Sequence, residues 1–290
     1  MAQAAATGSL EKAQKITIGA ARYTAEHNAP MFNLIERMTL EKGAKQVTVP
    51  KVGTMSMSDL VDGQDIIDEE EIGMTSVDLT ANEVGAKVIV TDKLVRQSQP
   101  SVFSMVGRQL GDGMVRKQET DVQALYTNLN GGTTLGAATK SLTAANLAAC
   151  IAFAKANKFG NQIYAVHHPN AVYAFVKSAA ITPSATYPVP SGWAQDLLGE
   201  FFVGLRPLNG VPLFEAGNIP TDSSNDGIGC IANKDAMVAL ISVKERTERQ
   251  RDASLRATEI VITSDYGVFE LDDTRGAGMK YVTSAPATNA

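Results

Sequence analysis

The sequence predicts an α+β fold, built from an extended β-hairpin, one long helix and a mixed α/β segment. Apolar and polar residues alternate over residues 46–52 and again over residues 77–91, which is typical of two half-exposed strands. Apolar residues recur at helical spacing over residues 98–130, which predicts a helix longer than most globular helices. Residues 142–243 then show alternating and helical stretches in turn, as expected for a mixed α/β domain.

Length and charge limit the kind of protein this is. The chain has 290 residues, enough for about two domains or for one domain with long extensions. Lys and Arg total 26 against 31 Asp and Glu, giving a net charge of −5, and no Lys/Arg-dense stretch could neutralise a run of phosphates. Sequence-specific nucleic-acid binding is therefore disfavoured, whereas non-specific contact with nucleic acid is compatible with this balance.

Neither the cysteines nor the hydrophobic stretches indicate secretion or a membrane. Cys150 and Cys230 lie far apart among apolar residues, which predicts two reduced, buried thiols rather than a disulfide or a metal site. Residues 1–15 lack the apolar core of a secretion signal, and no apolar run reaches the roughly 18 residues that a membrane helix needs. We therefore expect a chain that folds in the cytoplasm and has no membrane partner.

Residues 1–45 predict an N-terminal arm rather than a domain. They are rich in Ala and show weak helical patterning over residues 16–27 and 31–40. Residues 46–97 follow as an extended loop with its flanking strands, and a long polar segment separates the two strands. A loop of this length in a compact domain is usually functional or projects outward. We expect it to project.

A cluster of acidic residues occupies this loop: Asp62, Asp65, Asp68, Glu69, Glu70 and Glu71. Three interpretations are open: a solvated loop tip, a docking patch for a neighbouring subunit, and a divalent-cation site, which the spacing disfavours. Our hypothesis is the docking patch. Its expected basic partners lie in a charged stretch near the C-terminus: Lys244, Arg246, Arg249, Arg251 and Arg256.

Residues 98–141 predict the long helix and its exit. Ser98 or Gln99 can cap the start of the helix, and the Gly131-Gly132 pair can end it. At about 1.5 Å per residue such a helix would span roughly 45 Å. A helix of that length is expected to be a main structural element of the fold rather than a support for a single loop.

Residues 142–243 predict a second domain, in which Thr143 can cap one helix and Pro169 can open another. Residues 244–290 predict a return to the first domain. This return begins with the charged stretch and continues with strands at 259–263, 268–271 and 279–282, with a turn at 265–267. These strands need a cover, and the long helix is available to provide it.

Two blocks of sequence resemble the core of tailed-bacteriophage major capsid proteins: EVGAKVIVTDKL at residues 83–94 and RQLGDG at residues 108–113. The order of the parts is similar to the Hong Kong 97-like capsid fold of that family. That fold has an N-terminal arm, an extended loop, a long spine helix in a peripheral domain, an axial α/β domain, and strands that return under the helix. The resemblance spans most of residues 31–283.

This resemblance implies a structural shell protein, with no enzymatic activity and no cofactor or metal. It implies assembly with copies of itself into hexamers and pentamers of an icosahedral shell that encloses dsDNA. The implied location is the virion, after assembly in the host cytoplasm. Further implied partners are a portal protein, a decoration protein and a scaffolding protein. Since few residues precede the first strand, we expect the scaffold to be a separate protein.

Some members of that family join a loop Lys covalently to an Asn of a neighbouring peripheral domain. Lys51 and Lys87 flank the loop here, but residues 244–282 contain no Asn. We therefore expect no cross-link, so that assembled shells boiled in detergent should release the 30.7 kDa monomer.

Candidate catalytic and metal-binding groups have simpler explanations. The His167-His168 pair precedes a Pro that opens a helix, which indicates capping or packing rather than metal ligation. The Gly-rich stretch at residues 131–141 has Ala137 where a phosphate-binding loop requires Lys. Two alternatives remain open: an encapsulin-like nanocompartment shell and, from a different class, a soluble α/β enzyme whose acidic loop gates a site.

Overall fold

A computed structural model describes residues 29–52, 73–97, 102–179 and 210–286. Its helices are α1 (Met31–Leu34), α2 (Asp92–Gln97), α3 (Val102–Leu125), α4 (Ala144–Ala156) and α5 (Pro169–Ala179). Its strands are β1 (Glu36–Thr39), β2 (Gln46–Val52), β3 (Met74–Thr80), β4 (Asn82–Thr91), β5 (Leu135–Gly136), β6 (Ile163–His167), β7 (Leu213–Glu215), β8 (Asp226–Asn233), β9 (Met237–Asp252), β10 (Ala257–Glu270) and β11 (Gly276–Val282).

The first sheet has the strand order β1-β9-β10-β4, with β1 parallel to β9 and the other pairs antiparallel. Alternate side chains of β10, including Ile260, Ile262 and Tyr266, are buried. Helix α3 packs against this sheet, because Met114 joins the same apolar cluster as Ile262 and Tyr266. The Tyr266 hydroxyl also donates a hydrogen bond of 2.7 Å to Asp121 Oδ2 of the helix.

The second sheet has the order β5-β11-β8-β6-β7. All residues of β6 are buried, which requires cover on both faces of that strand. One apolar cluster joins the sheet to helices α4 and α5: it includes Leu147, Ile151, Phe175, Ile231 and Met279. This region therefore has a core of its own.

The remaining strands, β2 and β3, form an antiparallel hairpin whose register pairs Gln46 with Thr80 and Val52 with Met74. Leu79 of β3 is fully buried and packs with Val238 and Leu240 of β9. The base of the hairpin is therefore fixed to the first sheet.

Several sequence predictions are confirmed at the level of single elements. The alternating pattern at residues 46–52 corresponds to β2, and its predicted downstream partner is β3. The Thr143 side chain accepts a hydrogen bond of 3.2 Å from the Asn146 N–H and so caps α4. Pro169 opens α5.

The predicted helical pattern over residues 31–40 is wrong beyond Leu34. Residues 36–39 form β1, which pairs in parallel with Val238–Ile241 of β9. Met38 of this strand packs beside the buried Leu240. Backbone pairing and tertiary packing therefore override the weak local pattern. That pattern is too short to distinguish the spacing of apolar residues in a helix from their spacing in a strand.

The predicted turn at residues 265–267 is also wrong, since β10 continues through it from Ala257 to Glu270. The register with β9 shifts around Asp265, which marks a β-bulge. Gly267 has a different role from a turn residue. A Cβ at this position would lie 2.2 Å from the carbonyl oxygen of Thr80, so the glycine allows close approach of two backbones.

The long helix ends earlier than predicted, at Leu125. Turn-type hydrogen bonds follow, such as that of 3.0 Å from the Asn128 N–H to the Leu125 carbonyl. A Cβ at Gly278 would lie 2.6 Å from the Tyr126 carbonyl oxygen, so the chain leaves the helix by packing closely on β11. Gly131 has a φ of 61° and shapes the turn beyond the helix.

The last strand differs from expectation in its partners. β11 pairs with β8 and β5 in the second sheet, not with the strands of the charged return. The predicted helical pattern at residues 16–27 and the predicted cap at Ser98 or Gln99 lie outside the described residues. Within the described ranges, no helix is long and apolar enough to cross a membrane.

Candidate inter-subunit surfaces

The outer end of the β2–β3 hairpin carries two exposed apolar side chains. Val52 and Met74 oppose each other in the register and are 58% and 65% exposed. Nearby, Lys51 Nζ lies 2.5 Å from Asp272 Oδ1 and ties the hairpin to the turn before β11. The hairpin is thus fixed at its base by Leu79 and near its outer end by Lys51, and it presents an apolar pair beside the second of these contacts, a feature of contact surfaces.

The acidic residues of the predicted docking patch lie outside the described residues, within residues 62–71. The predicted basic partners all lie on the β9–β10 hairpin and are exposed: Lys244, Arg246, Arg249, Arg251 and Arg256. They do not form one patch. Side chains alternate along the regular part of a strand, so Arg246 projects from one face of β9, and Arg249 and Arg251 project from the other.

Arg251 is already paired inside the subunit. Its guanidinium donates two hydrogen bonds, of 2.8 and 2.7 Å, to the carboxylate of Asp92 at the start of α2. This contact holds the pKa of Asp92 below its usual value. Arg246 Nε lies 3.5 Å from Glu248 Oε1, its neighbour on the same face of the strand. The charged hairpin is therefore a mixed surface of acids and bases.

The junction between the arm and the body is fixed by a buried carboxylate, Glu119 of α3. Its Oε1 accepts hydrogen bonds from the Met31 N–H at 2.5 Å and from the Phe32 N–H at 3.2 Å. Glu119 is fully buried. Burial raises its pKa to about 7, and the two backbone hydrogen bonds only partly oppose that rise. Glu119 thus joins the first described residues of the chain to the long helix.

Sequence reasoning did not identify Glu119, although a signal was available. Glu119 lies three residues before Val122, which is buried on the inner face of α3, and seven before Tyr126, which is buried just beyond the end of the helix. A Glu on an apolar helix face requires a partner. The partner could not be predicted, because the Met31 and Phe32 N–H groups are 88 and 87 residues away in the sequence.

The His167-His168 pair has structural roles. His168 Nδ1 accepts a hydrogen bond of 3.2 Å from the Asn170 N–H at the start of α5, so the capping prediction is confirmed. His167 is buried beside the ring of Tyr281, and its Nδ1 accepts from the His168 N–H at 2.9 Å. Burial lowers the pKa of His167 to about 4. The described residues contain no group of three or more side chains suited to hold a metal.

The Gly-rich stretch after α3 binds a carboxylate of its own chain. The Gly131 N–H donates to both carboxylate oxygens of Asp273, at 3.0 and 2.9 Å. This donor is therefore occupied by a negatively charged group within the fold. The stretch serves to join the end of α3 to the turn before β11.

Comparison with known proteins identifies the family. A model of the family described as "Phage capsid protein" matches residues 75–278, which is more than half of the chain. This chain belongs to the phage capsid protein family. A search of curated proteins gives no match.

Solved structures share the fold of this phage capsid protein. A structure from Mycobacterium phage Che8 has a TM-score of 0.68 at 15% identity and covers 90% of this chain and 94% of that chain. The head structure of Helicobacter pylori bacteriophage KHP40 also has a TM-score of 0.68, at 10% identity, with 91% and 95% covered. An encapsulin from Synechococcus elongatus has a TM-score of 0.62 at 13% identity, with 95% and 97% covered.

The family match and the fold agree with the resemblance seen in the sequence. The fold of this phage capsid protein is Hong Kong 97-like, and the protein is a major capsid protein that forms the shell of the virion.

Proposed function

We propose that this major capsid protein assembles into the hexamers and pentamers of an icosahedral shell that encloses dsDNA. One observation carries this proposal: the β2–β3 hairpin presents Val52 and Met74, more than half exposed, at its outer end. Such exposure of a facing apolar pair is unfavourable in an isolated subunit and is removed when a neighbour covers it.

Electron microscopy of the purified full chain, alone and with its scaffolding protein, tests this proposal. A phage-type subunit should close into shells when the scaffold is present. An encapsulin-like protein, which the Synechococcus elongatus structure keeps as a second candidate, should close unaided. A population that stays at 30.7 kDa under both conditions would overturn the shell assignment.

The finer organisation belongs to the same proposal. Residues 1–45 would be the arm, 46–97 the extended loop, 98–141 the spine helix, 142–243 the axial domain, and 244–290 the peripheral strands and tail, except that β11 (Gly276–Val282) lies in the second sheet. The further partners would be a scaffolding protein, a portal protein and a decoration protein, with assembly in the host cytoplasm. Contact with the packaged dsDNA would be non-specific, since the net charge is −5.

We also propose that the chain has no enzymatic activity and needs no cofactor. Two buried titratable groups with shifted pKa values, Glu119 and His167, support this, because their contacts are structural. Glu119 accepts from backbone N–H groups, and His167 is enclosed in the second core. Neither group is exposed to a substrate.

For the extended loop, we propose that the acidic cluster docks on the charged β9–β10 hairpin of a neighbouring subunit. The exposure of Lys244, Arg246 and Arg256 supports this contact. Exposed ion pairs contribute only about 0.2 to 1 kcal/mol each, but a shell repeats them at every subunit.

Reversal of Glu69, Glu70 and Glu71 to Lys tests the docking contact. We expect the variant to fold, with an unchanged melting temperature as a monomer, and to give few closed shells by electron microscopy. The Glu215→Lys variant is the control, because Glu215 is exposed on β7, away from the hairpin. Shells from the triple variant at the yield of the control would refute the docking contact.

A further inference from the structure

The outer edge of β9 has a strand beside it for only part of its length. β1 pairs with Val238–Ile241, and no other described strand lies on that side of β9. Arg246–Asp252 pair with β10 in one continuous register on the inner side alone, and the register shifts between Ile241 and Arg246. Such an edge is a template for pairing with another chain, and charged side chains normally prevent it.

The charges on this edge are arranged so that they complement a second copy of the same strand. In an antiparallel pairing centred on Thr247, Arg246 of each copy opposes Glu248 of the other. Their side chains are 61% and 67% exposed. Opposite charges that face each other across two strands stabilise the pair, whereas like charges destabilise it.

Neighbouring registers lack this complementarity. A slide of one residue would turn the opposing side chains to opposite faces of the sheet, so the second copy can slide only by two residues at a time. Sliding it by two residues in one direction places Glu248 opposite itself, and sliding it in the other places Arg246 opposite itself. One register is therefore favoured over the alternatives.

We propose that the edge of β9 is a twofold contact between two copies of this protein, with the two strands antiparallel and Thr247 opposite Thr247. The contact is isologous, so both subunits use the same surface. Its twofold axis is perpendicular to the sheet. Gln118 of α3 donates to Glu245 at 2.7 Å, so the helices of both copies lie over the same side of the joined sheet.

This inference rests on the proposed shell assembly but uses different groups from the loop contact. The loop contact needs positive charge on the hairpin. The twofold contact needs alternating charge and an accessible backbone edge. The two ideas therefore predict opposite effects for an added positive charge at Glu248.

A cysteine at the centre of the register tests the geometry directly. In Thr247→Cys shells under mild oxidation, we expect a disulfide between two subunits, seen as a dimer band on a non-reducing gel. The native Cys150 and Cys230 are 5% and 0% exposed and should not react. Gln250→Cys is the matched control, because Gln250 faces Lys244 in this register. Two such cysteines would lie about 20 Å apart, far beyond the roughly 7 Å limit for disulfide formation.

Assembled Thr247→Cys shells that give no dimer, or a dimer from Gln250→Cys in equal yield, would overturn the twofold contact while leaving the shell assignment intact. A chain that forms no shells even as wild type would instead overturn the proposed function.

Charge variants give a second test that does not depend on oxidation. Glu248→Lys places a positive charge opposite Arg246 twice per contact, and we expect the shell yield to fall about threefold to tenfold. Combining Arg246→Glu with Glu248→Arg restores opposite charges in this register and should restore the yield. A Glu248→Lys variant that assembles as well as the wild type would contradict the pairing and favour the loop contact.

Discussion

The two sheets of this protein differ in how far the chain completes them. In the second sheet, β6 is buried along its whole length and helices α4 and α5 pack against it. In the first sheet, β9 is buried over Met237–Leu240 and exposed through most of its remaining length. The stability of the second sheet can be measured in the monomer, because its strands are covered by other parts of the same chain. The exposed edge of the first sheet shows its function only when subunits assemble.

The largest expected effect lies in the completed region. Phe175 is 2% exposed in the core between α5 and the second sheet. We expect Phe175→Ala to lower the free energy of unfolding by about 3 to 5 kcal/mol, because it leaves a cavity. Tyr173→Ala on the same helix is the control, since Tyr173 is 47% exposed. Urea unfolding of both variants measures the difference, and equal losses would contradict a separate second core.

The next effect concerns the junction of the arm with the first sheet. Glu119 has a folded pKa of about 7 against an ordinary value of 4.5, so the folded state holds its proton more tightly than the unfolded state. Stability should therefore fall as pH rises through this window, by about 2 kcal/mol between pH 5 and 7.

Glu119→Gln keeps an acceptor for the Met31 N–H but cannot titrate. Glu270 also has a raised pKa, of about 7, so the wild type contains both contributions. The informative quantity is the difference between wild type and variant in unfolding free energy at each pH. A constant difference from pH 5 to 7 would show that Glu119 does not titrate at the junction.

A smaller effect of opposite sign belongs to the second sheet. His167 has a folded pKa of about 4 against 6.5, so the unfolded state binds the proton first. Its contribution should be complete above pH 6.5 and should be lost as pH falls, by about 1.5 kcal/mol between pH 6.5 and 5. His167→Asn retains an acceptor in place of Nδ1 and should lose this dependence. Persistence of the slope in denaturant unfolding of the variant would assign it elsewhere.

The smallest effect is expected near the outer end of the β2–β3 hairpin. Lys51 and Asp272 form an ion pair whose side chains are 43% and 13% exposed. Because Asp272 also binds the Thr274 N–H, only a double-mutant cycle isolates the pair. We expect a coupling free energy of about 0.5 kcal/mol from thermal unfolding of Lys51→Ala, Asp272→Ala and the double variant. A coupling above about 2 kcal/mol would mean that the fold depends strongly on this pair, contrary to the expectation for an exposed contact.

The sequence allowed prediction of elements whose signal is local. The alternation of β2 and β3, the Thr143 cap and the Pro169 start each depend on a few neighbouring residues. β1 was missed because its strand conformation depends on pairing with β9, about two hundred residues away.

The candidate surfaces were predicted in part. The sequence shows that residues 244–256 are charged. It does not show that most of them extend β9, nor that β1 stops opposite Ile241 and leaves the rest of that edge without a described partner strand. Glu119 was missed because its partners, Met31 and Phe32, are distant in sequence. The role of Gly267 could not be predicted from the residues next to it in the sequence, because the glycine is required by its close approach to the distant Thr80 carbonyl.

The contact between Gly267 and Thr80 separates two tasks within the subunit. Backbone meets backbone there without an intervening side chain, so the direction in which β3 leaves the first sheet is set by the most rigid atoms available. The sequence beyond Val52 can therefore change to suit a different neighbouring subunit, while the attachment of β3 to the first sheet stays the same. A capsid lineage could in this way alter what its subunits recognise without redesigning the part that holds its shape.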